Sequence, residues 1–381
     1  MNKKWLYAIP AVFVLMIVIM ATVLFVQQSN KPKQAVEVFE QAVEQKKPKQ
    51  LKEWIMADDK RAVINDASLK ALVAYLNTNN NSYQVITESL DKQVEKKEFK
   101  TTNQQISLVE SGKKWGLFPE YKFKVKTAYI KVTGQHKDDE IHLSIQKSND
   151  TLKKDKEEKL YGPVLPGAYQ INVTVKNKLG TFIDKRKVDV WGGSNQVSLL
   201  IDDEKIAQSD QRIQKDVISA VETFNKDFVM YYTNEFEAKH FTNVSDSVLE
   251  GLALVNVESE FAELEEYVDE IQMQHSGTVV NLDDLDINQI HNEWTADVEA
   301  FVAYNNKFKI RGIDRYEDMS YKEIRTYSLN YDVKRKKWLI DEADRVPADG
   351  SEKDSWDKKA ELSGKDSPVM KWKRKESMEQ L

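Results

Sequence analysis

The sequence predicts an α+β multidomain fold behind an N-terminal transmembrane helix, and three observations carry that expectation. Trp5 to Val26 is an unbroken apolar run directly behind Lys3 and Lys4. From residue 31 to about 100, apolar residues recur at helical spacing. Beyond that the pattern alternates, returns to helical spacing, and alternates again, an order in which strands and helices are segregated along the chain.

As a helix rising about 1.5 Å per residue, residues 5–26 would span roughly 33 Å, enough for the ~30 Å hydrocarbon core of a bilayer. A cleaved signal has an apolar region of about 7–15 residues ending at a small-x-small site. This run is longer and closes on Thr22-Val23-Leu24-Phe25-Val26-Gln27-Gln28, so a retained anchor is expected. Pro10 does not forbid spanning, because neighbouring backbone can be re-satisfied locally. Lys3, Lys4 and the α-amino group lie against the helix start, whereas Gln27 to Asn30 on the other flank are neutral. Although Lys31, Lys33, Lys46, Lys47 and Lys49 follow, the nearest flanks favour a cytoplasmic stub of residues 1–4 with the bulk of the chain outside the cell membrane.

Charged residues make up 31% of the chain and mean hydropathy is -0.59 despite the apolar run, so the remainder must be strongly polar. A net charge of -6 argues against a general nucleic-acid binder. The chain has no cysteine, which excludes disulfides, thiol nucleophiles, a lipidation cysteine and zinc ribbons. The length beyond the anchor exceeds one typical domain.

A mainly helical domain is expected over 31–118. Ala35, Val38, Phe39, Ala42 and Val43 begin it, and the pattern resumes after Pro48 with Leu51, Trp54 and Ile55. Val63, Ile64, Leu69, Leu72, Val73 and Leu76 give a second helix, broken by the Asn77–Asn81 run. Ser82 is a candidate N-cap for a third helix carrying Val85, Ile86, Leu90 and Val94. Over 119–202 the period is two. Tyr121, Phe123 and Val125 alternate with lysines, followed by Ile141-Leu143-Ile145, Tyr169-Ile171-Val173-Val175 and Val197-Leu199-Ile201. With turns at Gly162-Pro163, Pro166-Gly167 and Gly192-Gly193, this predicts a β-sandwich-like domain. Over 206–345, Ile213, Val217, Val221, Phe224 and Phe228 mark one helix, and Phe261, Leu264, Val268 and Ile271 another that ends near Gly277. Strands follow at Trp294–Val302, Tyr327–Val333 and Trp338–Ile340. Residues 346–381, poor in apolar side chains, are expected to be a disordered tail.

Leu117-Phe118-Pro119-Glu120-Tyr121-Lys122-Phe123-Lys124-Val125-Lys126, Tyr129-Ile130-Lys131-Val132 and Gly162-Pro163-Val164-Leu165-Pro166-Gly167-Ala168-Tyr169 resemble the TcaA family of Gram-positive membrane proteins, named for teicoplanin resistance. The resemblance implies an anchor, a helical domain, a β domain and a C-terminal α+β cone like nuclear transport factor 2 (NTF2). It also implies a link to cell-wall stress and glycopeptide susceptibility, and supplies no catalytic residues. Many members begin with a cytoplasmic zinc ribbon; only Met1 to Lys4 precede the apolar run here, so no role of that ribbon carries over.

Chemistry-bearing motifs are sparse. The five histidines form no HExxH pair, and His136 and His142, beside Asp138, Asp139 and Glu140, read as a solvated turn. Aligned as a calcium loop, Asp284, Asp286 and Asn288 would put Gln289 where glycine is required and Thr295 where the bidentate glutamate belongs. The acids Glu258, Glu260, Glu263, Glu265 and Glu266 fit a solvated helix face, and no phosphate loop, GxSxG elbow or SxxK occurs. No catalytic residue, cofactor or structural metal is expected.

Two binding features stand out. The last domain is rich in aromatic residues, and the cone that the resemblance implies makes Tyr231, Tyr232, Trp294, Tyr327 and Tyr331 candidates for a ligand pocket. Lys122, Lys124, Lys126 and Lys131 form a candidate basic stripe for an anionic wall polymer such as teichoic acid. The expected function is that of a non-enzymatic, single-pass membrane protein that binds or senses a cell-envelope component. The rivals are an envelope hydrolase or transferase acting in the cone, and a structural subunit of an envelope protein complex.

Overall fold

The computed structural model describes residues 31–114, 118–146, 148, 150–154, 159–192, 195–254 and 257–375, so the expected anchor at 5–26 lies outside the described residues. Among those described, no helix is long and apolar enough to cross a membrane. The chain divides into two units, one built from residues up to 135 with 141–175 and 183–201, the other from 136–140, 176–182 and 202 onward.

In the first unit, helix α1 (Lys31–Glu44) buries Ala35, Val36, Phe39, Ala42 and Val43. Its pattern breaks at Pro48, after which the chain makes a short 3-10 turn (Pro48–Leu51) and strand β1 (Ile55–Ala57) in place of the expected continuing helix. Leu51 and Ile55 still enter the core. Helix α2 (Asp66–Thr78) starts with a capping box: Asn65 accepts from the Ala67 and Ser68 amides, and Ser68 answers to the Asn65 amide. Helix α3 (Asn80–Lys96) begins at Asn79, not Ser82, because the two helices abut with one residue shared between their ends. Strands β2 (Ile106–Lys114) and β3 (Phe118–Val125) complete a sheet of order β1-β3-β2, whose inner residues Ile106, Leu108, Phe123 and Val125 pack on the three helices. The buried amide of Gln93 ties α3 to β2, accepting from Leu108 N at 2.8 Å and donating to Leu108 O at 3.0 Å. The boundary expected at 118/119 therefore falls too early: β3 is the centre of the helical domain's own sheet.

The β domain consists of β4 (Ala128–Thr133), β5 (Glu140–Ile145), β6 (Leu160–Val164), β7 (Gly167–Asn177), β8 (Gly180–Val190) and β9 (Gln196–Leu200). They form two three-stranded sheets, β6-β4-β9 and β5-β7-β8. The buried hydroxyl of Tyr161 on β6 donates to the Ile141 carbonyl on β5, joining them. At Gly167 the start of β7 runs so close to α2 that a Cβ would sit 2.4 Å from the Ala71 carbonyl carbon, which leaves room for glycine alone.

In the second unit, α4 (Asp203–Ser209) leads into the long α5 (Gln211–Tyr232), which buries Ile213, Val217, Ala220, Val221, Phe224, Asn225 and Val229. Helices α6 (Asp246–Leu254) and α7 (Val257–Tyr267) precede β10 (Val268–Asn281), β11 (Asp286–Ile290), β12 (Glu293–Ile310), β13 (Tyr316–Asp318), β14 (Tyr321–Asp332) and β15 (Lys337–Pro347). Val268 and Ile271, expected on a helix, lie on β10. A bulge between Val268 and Glu270 shifts the strand's parity, so inward residues three apart imitate a helical turn. The sheet order is β15-β14-β12-β10, with α5 packed against both β15 and β10, so the sheet curls around the helix.

The expected disordered tail is a second departure. Strand β16 (Lys359–Ser363) pairs with Gly277–Asn281 of β10, and β17 (Met370–Lys373) pairs with Glu270–Met273. Main-chain pairing is indifferent to a polar sequence, and Trp372 supplies the apolar anchor by packing on Phe261, Val268 and Ile271.

Candidate functional site

The five aromatic residues expected to line a pocket do not converge. Tyr231 and Tyr232 belong to a ring cluster with Phe228 and Phe236 at the end of α5. Trp294 is buried, with its ring 6.3 Å from that of His136. Tyr331 packs edge-on against Trp338.

Tyr327, buried on β14, meets a polar knot in the cone. Asn225, fully buried on α5, accepts from Tyr304 Oη at 3.0 Å, Tyr327 Oη at 2.8 Å and Arg325 Nη1 at 3.1 Å. Its Nδ2 donates to Thr278 Oγ1 at 3.2 Å. One helix side chain thus reaches β10, β12 and β14. The Arg325 guanidinium stacks 4.3 Å over Phe228 and pairs with the buried Glu323. His275 Nε2 lies 2.7 Å from Thr278 Oγ1, its Nδ1 has no partner, and burial pushes its pKa down to about 4. Burial likewise pushes the Tyr327 phenol up to about 12. The side chains around Asn225 are bonded to one another, while His275 Nδ1 beside them is left without a partner.

The lysine stripe is also split. Lys122 and Lys124 share the half-buried outer face of β3, and Lys126, just past its end, donates from Nζ to Asn103 O at 2.7 Å. Lys131 is exposed on β4, in a different sheet.

The first unit holds an open cleft of about 920 Å³. One wall is the face of α2 that presents Ala67, Lys70, Ala71 and Ala74; the other carries Gln146 just past β5, Gln170 on β7 and Lys187 on β8. The small α2 residues follow from the same close approach that demands Gly167. Of the acids at the cleft, Asp150 is engaged by Asn65 Nδ2 at 2.5 Å and Asp66 by Lys49 at 3.3 Å. Lys52, Lys70 and Lys187 are exposed and have no ion-pair partner among the described residues. One residue beyond Ala74, Tyr75 stacks on Trp191 at 4.5 Å and 18°, fastening α2 to the end of β8. The ammonium groups of Lys52, Lys70 and Lys187 share this space with primary amides such as Gln146 and Gln170 and with the Ser148 hydroxyl, a set that can hold a chain of anionic and hydroxyl groups. The sequence reading missed it because its residues come from five separate segments.

Among the described residues, His136, Asp139 and Asp203 bring metal-ligating atoms within 4.8 Å of one another. Asp203 lies 67 residues from His136, which is why residues 136–140 read in sequence as a turn alone. Burial works against the charged imidazole of His136, but the Asp203 carboxylate outweighs it and raises the pKa. Burial and the adjacent Asp203 carboxylate push Asp139 up to about 6.

Residues 32–125 match the family model of the TcaA protein second domain, from α1 to the end of β3. Residues 217–344 match that of the YvbJ NTF2-like domain, which starts within α5 and stops within β15, before β16 and β17. The chain is similar to the uncharacterized membrane protein YvbJ of Bacillus subtilis (strain 168), 23% identical over 171 residues. That alignment covers 44% of this chain and 27% of the relative, so the chain spans about a quarter of the relative's length. A slight likeness, with TM-score 0.27 and 12% identity, relates 36% of this chain to 98% of the intermembrane space region of chloroplast protein ARC6, too little to bear on the fold. The two domain matches and the relative together support a TcaA/YvbJ-like family.

Proposed function

From a chain that is TcaA-like in its second domain and YvbJ-like in its NTF2 domain, we propose a membrane-anchored envelope protein that binds an anionic wall polymer in the cleft of its first unit. The observation that carries this reading is the convergence of Lys52, Lys70 and Lys187 on a 920 Å³ cleft whose acids are already paired. The apolar run Trp5–Val26 and a relative named as a membrane protein support the anchor, with residues 31–381 outside the cell. Tethering would hold the cleft at a high effective concentration beside the wall. The reading is non-enzymatic. The filled cone interior supports an interaction module over a hydrolase or transferase acting there, since folds of this kind host many functions. A role in cell-wall stress and glycopeptide susceptibility rests on the TcaA resemblance.

Co-sedimentation of the full detergent-solubilised chain with purified walls tests the cleft. Reversing all three lysines to glutamate should lower retention by roughly tenfold or more, taking about 0.5 kcal/mol per exposed charge. Reversing Lys122, Lys124 and Lys126 should leave retention near wild type. Undiminished retention of the cleft variant would remove the proposal.

A further inference from the structure

We propose that His136, Asp139 and Asp203 form a binding site for a divalent transition-metal ion of the zinc or manganese kind. The three come from the loop between β4 and β5 and from the first turn of α4, and nothing in the wall-binding reading requires them. His136 Nδ1 lies 2.9 Å from both oxygens of Asp203, whose side chain is almost wholly buried. One ligating atom of each residue lies within 4.8 Å of the other two, close enough for side-chain rotation to bring all three to the ~2.1 Å bonds such an ion takes.

Two further observations make this more than a cluster of acids. Asp139 Oδ2 accepts from the His136 amide at 2.8 Å, but Asp139 Oδ1 is buried with no donor, turned toward a second carboxylate. A buried carboxylate oxygen left bare is costly, and beside another carboxylate only a cation or a shared proton relieves it. The far nitrogen of His136 supplies the second observation. Nε2 lies 3.7 Å from Glu204 Oε1, and Glu204 is itself oriented by the Gln289 amide at 2.9 Å. At that distance Glu204 acts on Nε2 by charge without a hydrogen bond, favouring the proton on the outer nitrogen and leaving Nδ1 as the ligand atom.

The scaffold stands without the ion. Asp202 caps α4 by accepting from the Lys205 amide at 3.0 Å, and Asp138 is held by Asn292 Nδ2 at 2.6 Å. The buried Trp294 ring closes one side of the cluster. One imidazole and two carboxylates match the nitrogen-and-oxygen preference of zinc or manganese better than that of calcium, which takes oxygen ligands alone.

The test is calorimetric titration of the full detergent-solubilised chain, stripped with EDTA, with Zn²⁺ and with Mn²⁺, and with Ca²⁺ and Mg²⁺ for comparison. The expected result is one saturable ion per chain and a metal-dependent rise in melting temperature. Asp139→Asn and His136→Gln should each weaken affinity by about a hundredfold and Glu204→Gln by about tenfold. Asp203 begins a helix and is buried, so Asp139→Asn is the deciding variant, its metal-free melting temperature serving as the folding control. Absence of a saturable site, or affinity that Asp139→Asn and His136→Gln leave unchanged, would overturn the proposal in favour of a proton-bridged triad.

Discussion

Inside the cone, Asn225 gathers four polar neighbours from three strands and Arg325 is sealed between rings and a paired glutamate, whereas at the cleft of the first unit three lysines from three segments end in solvent. Both regions are polar, but they spend that polarity differently. Groups that satisfy one another fix a fold and leave nothing to offer a ligand. Groups held apart on a rigid frame contribute little to stability and remain available. The difference teaches that concavity and available hydrogen-bonding or charge are separate properties, and that these two regions divide them.

The comparison breaks most sharply at Asn225. Asn225→Leu strands Tyr304, Tyr327, Arg325 and Thr278 in the interior at once, and should destabilise the second unit by about 3–5 kcal/mol, read as a fall in its urea midpoint. An effect below 1 kcal/mol would mean that the knot is not what holds the cone.

A smaller effect comes from pH. The unfolded chain protonates His275 near its ordinary 6.5, while the buried ring resists down to about 4. Its contribution to stability is therefore complete above about 6.5 and is lost progressively as pH falls toward 4, by roughly 3 kcal/mol at the lower end. Lys226, Glu222 and Arg325 act on the same ring, and other groups titrate in this window, so the measurement is the difference between wild type and His275→Gln in chemical denaturation from pH 7 to 4. Parallel profiles would show that the ring is not held neutral.

The smallest effect is expected at the cleft. Reversal of Lys52, Lys70 and Lys187 together should move the unfolding free energy of the first unit by no more than about 0.5 kcal/mol per site while lowering wall retention. A large loss of stability would reassign those lysines to the fold.

Much of this architecture is legible in the sequence, because helical and strand periods survive local disturbance. The third helix was displaced only at its cap, Asn79 for Ser82. The β10 bulge defeated periodicity by making Val268 and Ile271 look helical, and the polar tail hid two strands whose pairing lies in the main chain. The knot left one readable trace: Glu323, Arg325, Tyr327 and Leu329 share a parity on β14, placing two charges on the inward side. The cleft left none, and the His136 cluster left only the neighbouring pair His136 and Asp139, since Asp203, 67 residues on, is brought there by the fold.

The returning C-terminal strands bear on how this protein behaves in a crowd. Copies concentrated on one surface would meet flank to flank, and a long unpaired β10 would be a template along which neighbours could zip together. Instead that flank ends in two segments of five and four residues, separated by the stretch around Gly364. Each is too brief to seed a stranger's strand. The two short strands cover the β10 edge and so remove a long template along which a neighbouring strand could pair.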